Sequence, residues 1–204
     1  MKTKYIIIGF LSLMIASIGF SQERALTMNL QYSYAKPVGN FNDFMGKSSP
    51  RGWNASILYG IKENAGIGLF IGFQDFYEAH PRRVYTTTDN STISAVMINS
   101  IQTIPVLAKF QYRFAGNVVQ PFVAIGAGAN LITYRQYLGE FPSTQNKVSW
   151  AARPEAGIHI PVGRNGETAI TIGAAYNYMP AKVGDVDNFN NVSLNAGIKF
   201  ALRR

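Results

Sequence analysis

The sequence predicts an all-β fold: a transmembrane, up-and-down antiparallel β-barrel of eight strands. Three observations predict it. Apolar residues recur at every second position along the chain, and no stretch beyond the leader holds the i, i+3, i+4, i+7 pattern of an amphipathic helix. The connections between alternating segments are in turn tight and long. Charged residues make up 15% of the chain, against roughly 25% in an ordinary soluble domain, whereas Gly (19), Phe (13) and Tyr (11) are plentiful.

The first residues set the compartment. Lys2 and Lys4 precede an apolar run from Tyr5 to Phe20, followed by Ser21 and the polar Gln22-Glu23-Arg24. This is the layout of a secretory signal peptide cut after Ser21. The run is short for a membrane span, which needs roughly 20 apolar residues. The expected organisation is therefore a signal peptide over 1–21 and one barrel domain over 22–204. No Cys occurs, which excludes a lipoprotein anchor and a disulfide framework. The net charge of +8 includes Lys2 and Lys4, and the remaining Lys and Arg are scattered, with Arg82-Arg83 and Arg203-Arg204 the only adjacent pairs. No basic stripe marks a nucleic-acid partner.

The strands follow in order. The first, about 25–36, sets Leu26, Met28, Leu30, Tyr32 and Tyr34 against Thr27, Asn29, Gln31 and Ser33. The second, about 52–62, sets Trp53, Ala55, Ile57, Tyr59 and Ile61 against Asn54, Ser56 and Gly60. The third, about 66–77, opposes Ile67, Leu69, Ile71 and Phe73 to Gly66, Gly68, Gly72 and Gln74. The fourth, about 95–114, carries Ile104, Val106, Ala108, Phe110, Tyr112 and Phe114 opposite Lys109, Gln111 and Arg113. The fifth, about 118–136, divides Val119, Val123, Ile125, Ala127 and Leu131 from Gln120, Gly126, Gly128 and Asn130. The sixth, about 148–161, divides Trp150, Ala152, Ala156, Ile158 and Ile160 from Arg153, Glu155, Gly157 and His159. The seventh, about 168–179, separates Ile170, Ile172, Ala174, Tyr176 and Tyr178 from Thr171, Gly173 and Asn177. The last, around SLNAGIKF, separates Leu194, Ala196, Ile198 and Phe200 from Ser193, Asn195, Gly197 and Lys199.

Connections after the second, fourth and sixth strands are tight. Those after the first, third, fifth and seventh are expected to be loops of roughly ten residues or more, as in GNFNDFMGKSSPR, HPRRVYTTTDNST and VGDVDNFNN. Parity then sets register, because a two-residue turn pairs positions summing to an odd number and a three-residue turn to an even one. Gly116-Asn117 as a two-residue turn places Phe114 across from Val119 and Arg113 across from Gln120. Arg164-Asn165-Gly166 as a three-residue turn matches Ile160 to Ile170, and Asn64-Ala65-Gly66 follows the same rule.

Volume decides which face meets water. The interior of an eight-stranded barrel is just wide enough for side chains or one small ligand, and the bulky apolar set would not fit there. The Gly-, Ser-, Asn- and Gln-rich set would. Tyr34, Trp53, Phe73, Trp150 and Tyr178 fall at the long-loop end, and Tyr112, Phe114 and Phe200 at the short-turn end, as in the aromatic girdles at two membrane interfaces.

IQTIPVLAKFQYRF (101–114) followed by VQPFVAIGAGANL (119–131) resembles the central strands of the small outer-membrane β-barrel proteins common in Bacteroidetes, a group labelled porin-like or PorT-like. The likeness spans the mature chain. It implies residence in the cell outer membrane, contact with outer-membrane lipid and lipopolysaccharide, insertion by barrel-assembly machinery, and no cofactor. Asn195, Gly197, Phe200 and Leu202 resemble the C-terminal assembly signal read by that machinery, with the difference that Ala201 to Arg204 follow the aromatic.

The inward positions collect a candidate polar network: Lys109, Gln111, Arg113, Arg153, Glu155, His159 and Lys199. It reads either as a conduit preferring anions or as a hydrogen-bonded plug, since lone buried charges are costly. His159 lacks the His-x-Ser setting of barrel-borne lipid-modifying enzymes. His80, beside Pro81 in an expected loop, has no second His or Cys for a metal. No catalytic, metal or cofactor residue is assigned, and the chain is expected not to be an enzyme. Phe41, Phe44, Tyr85, Phe141 and Phe189 in the long loops either bind an extracellular ligand or fold back over the mouth. The functional expectation is a structural or surface-interaction barrel, with a narrow channel or transport passage for small or apolar solutes as the alternative and a lipid-modifying enzyme as the third reading.

Overall fold

The computed structural model describes residues 26–86, 92–116, 118–138, 141–162, 168–183 and 186–203. The leader, the turn at 164–166 and the side chains of Tyr85 and Phe141 lie outside the described residues. Eight long strands form the wall: β1 (Leu26–Pro37), β2 (Ser49–Lys62), β3 (Ala65–Thr86), β4 (Thr92–Arg113), β5 (Gln120–Leu138), β6 (Phe141–Val162), β7 (Thr168–Asn177) and β10 (Asn191–Arg203). Each pairs antiparallel with its neighbours in chain order, and β1 closes on β10 from Leu26↔Arg203 to Pro37↔Asn191. Closure lets the strands satisfy one another's N–H and C=O groups without water around the ring, which hydrocarbon requires.

Alternation is realised as predicted on all eight strands. Leu30, Tyr32, Trp53, Ile57, Leu69, Ile125, Trp150, Ile172 and Leu194 are exposed on the outside, whereas Asn29, Gln31, Asn54, Ser56, Gln111, Thr171, Asn177 and Asn195 are buried within. A protein in water would not leave this many large apolar side chains exposed in a continuous band. At the long-loop end Trp53 stacks on Phe73, with centroids 6.5 Å apart, and Trp150 packs edge-on against Tyr178 at 5.2 Å. At the other end Tyr112 and Phe114 make a similar edge contact at 5.1 Å.

Two expected registers are corrected. At the β2–β3 turn Lys62 pairs with Ala65, so the turn is Glu63-Asn64, and a bulge at Ile61 restores the like-to-like faces at Tyr59↔Ile67. At the β4–β5 turn Arg113 pairs with Phe122, not Gln120, and the Phe114 N–H donates to the Pro121 carbonyl at 2.8 Å. Alternation fixes pairing only to within multiples of two, so an even slip keeps every side chain on its face. The β6–β7 register is as predicted, Ile160 against Ile170.

The expected strand ends and two of the long loops are also corrected. β3 and β4 keep pairing out to Thr86↔Thr92, and β5 and β6 out to Leu138↔Phe141, so both loops are tall hairpins. His80, expected in a loop, lies in β3 opposite Met97. A 22-residue strand such as β3 spans roughly 70 Å at about 3.3 Å per residue, while a membrane crossing takes only about 9–11 residues. The upper parts stand in water on both faces, as the uniform exposure of residues 143–148 shows. Alternation therefore disappears there while pairing continues. The other two connections fold inward: one holds a helical turn, α1 (Asn40–Phe44), too short to leave a periodic signal, and the other a small hairpin, β8 (Lys182–Val183) with β9 (Val186–Asp187).

Candidate functional site

The candidate site is the barrel interior, filled in three tiers. Nearest the short turns, His159 is buried with both ring nitrogens engaged, Nε2 with Gln111 Nε2 at 3.0 Å and Nδ1 with the Thr171 hydroxyl at 2.8 Å. Phe122 stacks flat on the imidazole at 4.3 Å. Arg113 sits at the rim, its guanidinium donating to the Glu63 carbonyl. Lys199 is half-buried on β10, near enough to His159 and Arg113 to interact electrostatically.

The middle tier holds the charges. Lys109 Nζ donates to Glu155 Oε2 at 2.8 Å, and Arg153 Nε lies 3.6 Å from the same oxygen. Arg153 Nη1 donates to Asn177 Oδ1 and, at 3.3 Å, to the Ser193 hydroxyl. Asn177 Nδ2 donates in turn to Asn191 Oδ1 at 2.7 Å. The Phe70 ring lies under both cations, 4.6 Å from Arg153 Cζ and 5.7 Å from Lys109 Nζ. A buried ion pair repays its desolvation only when the remaining donors and acceptors are also met; here Asn177 and Ser193 meet Arg153 Nη1, whereas Arg153 Nη2 and Glu155 Oε1 have no hydrogen-bond partner in the protein. Asn54 Nδ2 to Asn195 Oδ1, 3.0 Å, crosses from β2 to β10 beside this tier.

The top tier is apolar. Phe41 from α1, Phe76 from β3 and Phe189 from the chain after β9 meet edge-on, Phe41 being 4.9 Å from Phe76 and 5.3 Å from Phe189. All three are fully buried, with Met45, Ile101, Ile132, Met179, Val183 and Val186 around them. Of the loop aromatics, Phe41 and Phe189 thus cap the mouth and Phe44 packs beside them against Tyr134 at 5.9 Å. Burying each such ring is worth about 1.5–3 kcal/mol, which ties two connections into the barrel mouth.

The structure thus gathers Lys109, Arg153 and Glu155 into one cluster and Gln111 with His159 into another, and leaves Arg113 and Lys199 at the rim. Sequence reading passed over Phe70 and Phe122 as interior residues. Both occupy inward parity beside small inward neighbours, Gly68 and Gly72 on β3 and Ala124 on β5, and that local mismatch of size is the signal that marks space-fillers. The glycines of β5 are close-approach positions. A Cβ on Gly128 would fall 2.3 Å from the Val106 carbonyl oxygen, and one on Gly126 would fall 3.1 Å from Leu107 Cδ1.

The assembly-signal candidates lie on β10 at the closing seam. Asn195 faces inward, Phe200 and Leu202 outward. A Cβ on Gly197 would lie 1.9 Å from the Leu30 carbonyl oxygen and 2.5 Å from Gln31 Cα, so the seam with β1 closes only over glycine.

The sequence model of the outer membrane protein beta-barrel domain family matches residues 8–200. The chain belongs to this family. Its fold class and its outer-membrane residence are those of the family. Among solved structures, Neisserial surface protein A is 17% identical over 87% of this chain and 96% of its own, with a TM-score of 0.52. The attachment invasion locus protein Ail of Yersinia pestis, solved with the heparin analogue sucrose octasulfate, is 19% identical over 89% and 100%, with a TM-score of 0.46. The outer membrane protease OmpT of Escherichia coli is 9% identical over 88% and 95%, with a TM-score of 0.45. No curated protein matches the chain.

Proposed function

We propose that this family member is a non-enzymatic barrel that works at the cell surface and does not conduct through its lumen. The observation that carries the reading is the stacked closure of the interior, the Phe41–Phe76–Phe189 cap above the Lys109–Glu155–Arg153 cluster. The activity then belongs to what projects outside. Beyond Ala152, whose N–H and C=O bond Tyr178, the outer edge of β6 is hydrogen-bonded to no other strand among the described residues. By strand alternation, Thr144, Asn146, Val148 and Trp150 turn their N–H and C=O groups toward that open edge. The β3 edge is guarded by Pro81, Arg82, Arg83 and a bulge between His80 and Arg83. We read β6 as the side offered to an extended segment of an extracellular protein.

The signal peptide cut after Ser21, the Bacteroidetes porin-like or PorT-like branch, the lipopolysaccharide surroundings and the assembly machinery acting on Asn195, Gly197, Phe200 and Leu202 belong to the same proposal. In planar bilayers the purified protein gives no steady ohmic current, and large steady currents overturn the reading. Asn146→Pro with Val148→Pro removes two edge donors, and cells displaying that variant lose adhesion to protein-coated surfaces while the barrel itself still forms.

A further inference from the structure

Between the middle tier and the cap lies a cavity whose lining includes Arg153, Thr103, Asn54, Asn177, Asn191 and Phe70. Its free space is about that of one or two water molecules. Arg153 is the one charged residue of the lining, and no carboxylate takes part. Three atoms of the lining lack a hydrogen-bond partner: Arg153 Nη2 and Nε, on a side chain 5% exposed, Nε lying 3.6 Å from Glu155 Oε2, and the hydroxyl of Thr103, which is fully buried. The charge balance points the same way. Lys109 and Arg153 are both buried beside a single buried carboxylate, Glu155, and an uncompensated buried cation is expensive.

We propose that this cavity binds one small inorganic anion of chloride size, held by Arg153 Nη2 and the Thr103 hydroxyl. The anion completes the charge balance of the middle tier and satisfies Arg153 Nη2 and the Thr103 hydroxyl at once. A cation is repelled by Arg153.

The test uses the purified, folded barrel in detergent. The midpoint of heat-induced unfolding, followed by mobility on gels, rises by several degrees along a saturable curve with sodium chloride or bromide, and does not rise with sodium gluconate at equal ionic strength. Arg153→Met leaves Lys109 and Glu155 as a balanced pair and abolishes the halide response. Thr103→Val, which removes only a hydroxyl, moves half-saturation to higher chloride. Crystals grown in sodium bromide show an anomalous peak within hydrogen-bonding distance of Arg153 Nη2. A halide response equal in wild type and both variants overturns the proposal, as does density at that point with no anomalous signal, which is a water.

Discussion

Lys109 on β4 and Glu155 on β6 meet across the lumen at 2.8 Å, both almost fully buried, although β5 separates their strands in the wall. Gly126, on the strand between them, pairs with both Lys109 and Arg153. Breaking this pair from one side is the costly change. Glu155→Gln leaves two buried cations without their counter-charge and lowers folding stability by about 3–5 kcal/mol, whereas joint replacement of the whole cluster by Lys109→Met, Arg153→Met and Glu155→Leu costs far less. Equilibrium urea unfolding in detergent micelles, read by tryptophan fluorescence, separates the two.

The cap makes a second prediction. Phe189→Ala removes a fully buried ring that Phe41 packs against, at a cost of about 3–5 kcal/mol if the loss is felt globally. Because the cap joins two connections rather than the wall, the expected result is local. Limited proteolysis cuts residues 38–48 and 178–190 sooner, while the wall stays folded and, with the ion cluster still below, conductance does not appear.

Depth in the membrane gives a third. Ile125→Arg places a cation on the outward face of β5 within the apolar band and costs about 2–4 kcal/mol. Val148→Arg, equally outward and 64% exposed but above the aromatic pair of Trp150 and Tyr178, costs close to nothing. Refolding into lipid vesicles at graded urea measures both.

The closing seam gives a fourth. Gly197→Val cannot be accommodated against the Leu30 carbonyl, so the variant fails to close. The protein then lacks the heat-dependent gel shift of a folded barrel. Lys199→Gln, two positions on and facing the lumen rim, retains it.

Most of the wall was legible because one physical demand, apolar out and small or polar in, is written at every second residue. The same demand explains what was not. Above the membrane both faces of residues 143–148 meet water, so β6 extends seven residues earlier than the alternation does. Parity carried Ile160↔Ile170 but could not see the even slip that puts Arg113 opposite Phe122, nor the bulge at Ile61. Within the site, inward parity named Lys109, Arg153, Glu155 and His159, whereas their partners depend on how far each strand is staggered around the ring. The pairing of Asn54 with Asn195, residues 141 apart in sequence, is of that kind. Whether loop aromatics cap or bind was open in the sequence, because Phe41 and Phe189 carry no periodicity to say where they point.

The orientation of the two faces is tested most directly by site-directed spin labelling along β10. The chain has no Cys, so single labels can be introduced at positions 193 to 198 one at a time in lipid vesicles. Labels replacing Leu194, Ala196 and Ile198 collide with oxygen dissolved in hydrocarbon and are shielded from a water-soluble nickel complex, while labels replacing Ser193, Asn195 and Gly197, where they fold, are shielded from oxygen. The opposite alternation, with the nickel complex reaching the even positions, would contradict the account.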